Sequence, residues 1–137
     1  MNIVDAARKY LGVKFQHQGR TARGLDCLGL IVAAARDCGI FCNDRTDYSH
    51  RLDKDTLLNG ILAHCDKVDN PVVGCIALFE LKPSMQQHCA IVTSIDPVYI
   101  IHAYAPIKMV VEHNLPDGEG EIYVNKQTLI GYYQWRK

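Results

Sequence analysis

The strongest constraint on this chain is a change of period at Asn70-Pro71. Before it, apolar residues recur at helical spacing. After it they gather in short runs rich in β-branched and aromatic residues, broken by proline and glycine. The runs are Cys75–Leu81, His88–Ile95, Val98–Tyr104, Ile107–Glu112 and Gly131–Arg136, which predicts a sheet of about five strands. Breaks fall at Lys82-Pro83-Ser84, Asp96-Pro97 and Ala105-Pro106, with a longer turn around Pro116-Asp117-Gly118. Connections this short join antiparallel neighbours, so the sheet is expected to be a mainly antiparallel meander. Helices first and strands after define an α+β chain, with the N-terminal helices packed on the sheet.

In the helical half, Ile3, Ala6, Ala7, Tyr10 and Leu11 keep one face, and Gly12 provides a stop. Residues from Val13 to Leu25 are polar and punctuated by Gly19 and Gly24, and read as loop. Asp26 is placed to cap a helix from Cys27 to about Cys38, with Gly39 ending it. Leu28, Leu30, Ile31, Val32, Ala33, Ala34 and Ala35 make that helix apolar nearly all round, which marks it as buried. Residues 40–52 are irregular and polar. A further helix over roughly residues 54–66 carries Leu57, Leu58, Ile61, Leu62 and Cys65 on its inner stripe.

With 137 residues, the chain is expected to form one domain over residues 1–137, with a core that needs no cross-links. Fifteen Lys+Arg offset 15 Asp+Glu. That balance argues against nucleic-acid binding by phosphate neutralisation and against a polybasic membrane patch. No apolar run approaches the roughly 20 residues of a membrane span. The N-terminus lacks a basic start followed by an apolar stretch, so no signal peptide is expected and the protein is cytoplasmic when made. In that setting the six cysteines are expected to be reduced thiols, although their even number leaves a disulfide framework open. None of the closest Cys and His pairs has the spacing of a zinc site, so no metal is expected.

Cys27 is the first candidate for chemistry. A cysteine in the first turn of a helix meets unpaired amide N–H groups and the positive end of the dipole, and both favour thiolate. The same amides suit an oxyanion. Gly24 and Gly29 flank the position without side-chain bulk. Position alone also suits a buried packing thiol, the role assigned to Cys38, Cys65, Cys75 and Cys89; Cys42 lies in a loop with nothing beside it to activate it. A thiolate nucleophile needs a base, and the base needs an orienting partner. His88 opens one strand and His102 ends the next, so a hairpin would bring them together, as base and orienter or as two partly buried histidines. His17, in Gln16-His17-Gln18-Gly19-Arg20, is either a substrate contact or a solvated loop residue. His50, His64 and His113 read as surface residues without companions.

Taken in order, Gly24-Leu25-Asp26-Cys27-Leu28-Gly29-Leu30, Gly74-Cys75-Ile76-Ala77-Leu78-Phe79, His88-Cys89-Ala90-Ile91-Val92 and Ile101-His102-Ala103 resemble the NlpC-type cell-wall cysteine peptidases, a papain-like family. Gly12-Val13-Lys14-Phe15-Gln16-His17-Gln18-Gly19-Arg20 and Val110-Val111-Glu112-His113 resemble the subgroup carried by phage tails and gene-transfer particles. The resemblance implies a papain-like α+β fold, with Cys27 as nucleophile, His88 as general base and acid, and His102 as the orienting third member. It implies peptidoglycan stem peptides as substrate, phage tail proteins as partners, delivery on a phage particle, and no cofactor. It places Phe15, His17, Gln18 and Asp26 towards the substrate. Leu28 stands where many members have Ser, Cys75 where many have Asp, and Phe15 where many have Tyr. Other readings of the same fold are an amidase or acyltransferase, or a tail-assembly domain without turnover.

Overall fold

Asn2 starts the first helix: its side chain accepts the Asp5 N–H at 2.8 Å, and α1 (Ile3–Arg8) follows. The structure, a computed structural model, describes residues 1–44, 46, 48, 54–81, 86–115 and 127–136. The expected turns at Lys82-Pro83-Ser84 and Pro116-Asp117-Gly118, and His50, lie outside those residues. After α1 the chain turns to Gly12 at positive φ. The stretch read as loop contains more order than that. Gly12 and Phe15 donate to the carbonyls of Val110 and Lys108, and Val110 donates to Val13. A hairpin of β1 (Arg20–Thr21) and β2 (Gly24–Leu25) follows.

Helix α2 (Cys27–Asp37) starts at Asp26, whose side chain accepts from Gly29 N–H at 2.7 Å. It ends in paired bonds from Gly39 to the Arg36 carbonyl and from Ile40 to the Ala35 carbonyl, with Gly39 left-handed as that ending requires. Most of its apolar circumference is buried, with Leu30, Ile31, Ala33, Ala34 and Ala35 in the core, while Leu28 and Val32 are only half-buried. Helix α3 (Lys54–Leu62) is shorter than its pattern predicts. Cys65, expected on its inner stripe, instead opens strand β3 (Cys65–Val68). The cause is Arg136, whose guanidinium donates to the carbonyls of Leu62, Ala63 and Cys65. It closes the helix end and ties β3 to the C-terminal strand.

The remaining strands are β4 (Ile76–Leu81), β5 (Gln86–Ile95), β6 (Val98–Tyr104), β7 (Met109–Asn114) and β8 (Gln127–Trp135). All pairings in this sheet are antiparallel, in the order β3-β8-β4-β5-β6-β7. Among the described residues the sheet has six strands rather than about five, the sixth being β3, and β8 crosses back to lie between β3 and β4. The meander expectation holds for β4 to β7. One face, with Ile76, Leu78, Cys89, Ile91, Ile101 and Ala103, packs against α1 and α2; the other gathers Ala77, Phe79, Ala90, Val92, Ile100 and Tyr104. The architecture is α+β with N-terminal helices on a mainly antiparallel sheet.

The sheet is split at one end, between β5 and β6. Their ladder runs from Ile95↔Val98 through a register shift between Val92 and Ser94 to Ile91↔Ile101, its last pair. His88 pairs only towards β4, opposite Phe79, and His102 only towards β7, opposite Val111.

Candidate active site

Beyond that last pair, side chains bridge the gap that backbone bonds leave. His88 Nε2 and His102 Nδ1 are 2.6 Å apart, with ring centroids separated by 4.9 Å. His102 is wholly buried and stacked on Tyr104 at 4.7 Å, and the His88 ring lies between Phe79 and Tyr104. His102 Nε2 is 2.9 Å from His113 Nε2, and His113 Nδ1 is 3.0 Å from the Asn114 carbonyl oxygen. The structure therefore brings together the two predicted histidines, and it gives His113, expected to stand alone, a place beside them.

Cys27 is the first residue of α2 and is buried. A hydrogen bond from Cys89, and then the hydrogen bond and charge of His88, hold its thiol down at about 5 against the opposing effect of burial. Cys89 is raised well above its ordinary value, because it is the hydrogen-bond partner of Cys27 and is itself fully buried. Cys89 is thus more than packing: it acts on the Cys27 thiol and shifts in the opposite direction to it. Burial also pushes Cys42 up to about 11 and Cys65 up to about 12, and raises Cys75. Burial first, then the neighbouring His88 and His113, lowers His102 well below 6.5. It is held as a neutral imidazole, which donates from one nitrogen and accepts at the other.

Asp26 sits behind the thiol. Its Oδ1 accepts from Gly29 N–H at 2.7 Å and Arg20 Nη1 at 3.1 Å, and its Oδ2 accepts from Gln18 N–H at 2.8 Å and the Tyr48 hydroxyl. Both of its oxygens are engaged by the protein, which ties the loop to the start of α2. Gln18 is in the left-handed region and donates its side-chain amide to the Tyr48 carbonyl at 2.7 Å. The His17 ring meets Tyr48 edge-on at 5.5 Å. Phe15 is half-buried against the helix-side core and bridges to Leu25. Arg20 and Tyr48 complete this cluster: Arg20 also donates to Asp44 at 3.0 Å and to the Tyr48 hydroxyl at 2.8 Å. Periodicity gives no sign of Tyr48, which lies in an irregular stretch.

The glycines next to Cys27 serve packing and do not leave an open approach. A Cβ on Gly29 would lie 1.9 Å from the Gly19 carbonyl oxygen, and one on Gly24 would lie 2.4 Å from Gln16 Oε1. Their smallness lets the Gln16–Leu25 loop press onto the start of α2.

No family model and no curated protein matches the sequence. Solved structures do match its fold. The NlpC/p60 domain of the peptidoglycan hydrolase SagA aligns with a TM-score of 0.54 at 23% identity, over 82% of this chain and 86% of that one. The peptidoglycan hydrolase RipB of Mycobacterium tuberculosis aligns with a TM-score of 0.60 at 15% identity, over 96% of this chain but 61% of that one. The P60 domain of an antigen of M. avium subspecies paratuberculosis aligns with a TM-score of 0.61 at 14% identity, over 97% and 90%. At these identities the likeness is one of fold, and the fold is that of NlpC/p60 domains.

Proposed function

We propose that the protein is a cysteine peptidase that hydrolyses amide bonds in peptidoglycan stem peptides. The observation that carries this reading is a buried thiol held near 5 at a helix start, with a His88–His102 pair at 2.6 Å beside it. Structural neighbours that are themselves peptidoglycan hydrolases support the choice of substrate.

The chemistry follows from the placement. The Cys27 thiolate attacks the scissile carbonyl carbon and forms a C–S bond while the carbonyl oxygen becomes an oxyanion. The first N–H groups of a helix lack intrahelical acceptors. Here Asp26 takes those of Gly29 through its side chain and Leu30 through its carbonyl, which leaves those of Cys27 and Leu28 at the helix start for the oxyanion. His88, as imidazolium, gives its proton to the leaving amine nitrogen as the C–N bond breaks. It then takes a proton from water, whose oxygen attacks the thioester carbon and releases the acid and the Cys27 thiolate. His102 accepts from His88 Nε2 and keeps the ring turned to the sulfur. Phe15, His17 and Gln18 form the loop wall beside the nucleophile and make the substrate contacts.

The test is incubation of the protein and a Cys27→Ala variant with stem peptides under reducing conditions, with products read by mass spectrometry. New termini from the unmodified protein, and a loss on the order of a thousandfold or more in the variant, are expected. No cleavage by the unmodified protein between pH 6 and 8 overturns the reading. Delivery on a phage particle belongs to the same proposal; mass spectrometry of particles purified from the encoding genome should find the chain, and its absence removes that part.

A further inference from the structure

We propose that His113 is a positioning residue that sets the direction of the hydrogen bonds along the histidine chain that ends at His88, with the Asn114 carbonyl as its fixed end. The inference rests on the reading of Cys27 and His88 as nucleophile and base and extends it by one residue.

A carbonyl oxygen can only accept. His113 Nδ1, 3.0 Å from the Asn114 oxygen, must therefore carry a proton and donate it. With the proton on Nδ1, His113 Nε2 is left as the acceptor of the next bond. The atom 2.9 Å away is His102 Nε2, which must then be the donor. His102 is buried and neutral, so a proton on Nε2 leaves its Nδ1 as an acceptor. That nitrogen faces His88 Nε2 at 2.6 Å, which must donate. The remaining nitrogen of His88, Nδ1, is then the one left for Cys27, as the reading of His88 as its base requires.

Without His113 the direction of these bonds is open. A neutral imidazole has two tautomers, and nothing in His102 itself prefers the one that accepts from His88. In the other, a proton on His102 Nδ1 opposes the Nε2–H of His88 across 2.6 Å, and His88 loses its acceptor. His113 removes that choice. Among the described residues, His113 faces His102 on β6 and the Asn114 carbonyl, while Glu112, on the same strand β7, is turned to Arg8 at 2.8 Å and to Thr93. Glu112 is thus occupied by α1.

Two measurements on the full chain test this. Long-range proton–nitrogen NMR of the imidazoles at pH 7 should find His102 protonated on Nε2 and His113 on Nδ1. His102 protonated on Nδ1 overturns the proposal in the unaltered protein. The second follows Cys27 alkylation by iodoacetamide against pH in His113→Leu, which cannot accept, and His113→Gln, which can. His113→Leu should move the alkylation midpoint up by about one pH unit, a tenfold loss of thiolate below it. His113→Gln should restore the midpoint to within a factor of about three in thiolate. An unmoved midpoint in His113→Leu, or an equal shift in both variants, overturns it. Alkylation needs no substrate, so a protein that shows this pattern yet cleaves no stem peptide sinks the proposed function and leaves the role of His113 standing.

Discussion

At the scale of single residues, the direction in which the Cys27 thiol shifts comes from its neighbours. Burial alone would raise the thiol, as it does for Cys42, Cys65 and Cys75; hydrogen bonds from Cys89 and His88 reverse the sign. Iodoacetamide near pH 6 should therefore label Cys27 ahead of Cys42, Cys65, Cys75 and Cys89, read by peptide mass spectrometry. In Cys89→Ala, loss of a hydrogen bond to a charged sulfur, worth about 1.5 kcal/mol, should raise the midpoint from about 5 by roughly one pH unit. Cys89→Ser, which keeps a donor, should stay close to the parent; a shift as large as that of Cys89→Ala would show that Cys89 acts by packing alone. The place of Cys27 at a helix start and the meeting of His88 with His102 were legible in the sequence, because local rules set both. Cys89 and His113 were not. Alternation along β5 turns Cys89 to the face opposite His88, so no local rule makes both act on the same thiol.

At the scale of elements, the junction of α2 with the loop before it decides where the thiol stands. Gly29 lies inside a helix, where alanine would ordinarily stabilise by about 1 kcal/mol. Here an added Cβ meets the Gly19 carbonyl at 1.9 Å, backbone against backbone, so something must move. Gly29→Ala should therefore destabilise the fold by about 2 kcal/mol or more, read as a lower midpoint in urea unfolding. Gly60→Ala supplies the contrast: it is in α3, exposed, with nothing within 4 Å of a Cβ, and should gain up to about 1 kcal/mol. Equal effects at the two sites would mean that the loop yields to the new methyl group. The glycine pattern was visible in the sequence, but its meaning was not, since spacing does not say which backbone passes over which. Cys65 shows the same limit. Its place on a helical stripe was sound local reasoning, and the helix ends before it because Arg136, 71 residues away, takes the last carbonyls.

At the scale of the whole molecule, class and strand count were nearly legible, because the change of period at Asn70-Pro71 separates the helical half from the sheet. The strand order was not: β8 returns to sit beside β3 and β4 through pairings set by long-range contacts, with no local signature. The same assembly buries His102, and stability depends on pH as a result. In the unfolded chain this histidine takes up a proton as pH falls through about 6.5; in the folded protein burial and its two histidine neighbours keep it neutral well below that. The unfolded state then binds more protons than the folded one, so stability from this group is complete above pH 6.5 and lost as pH falls below it. One proton corresponds to a slope of about 1.4 kcal/mol per pH unit once the difference is fully developed. Urea unfolding at pH 7.5, 6 and 5 should show stability falling with acid. His102→Gln, which cannot titrate, should lower the stability at pH 7.5 and flatten that fall by up to one proton. A variant with the parent's slope would mean that the acid sensitivity arises elsewhere and that His102 is not the neutral core of the histidine chain.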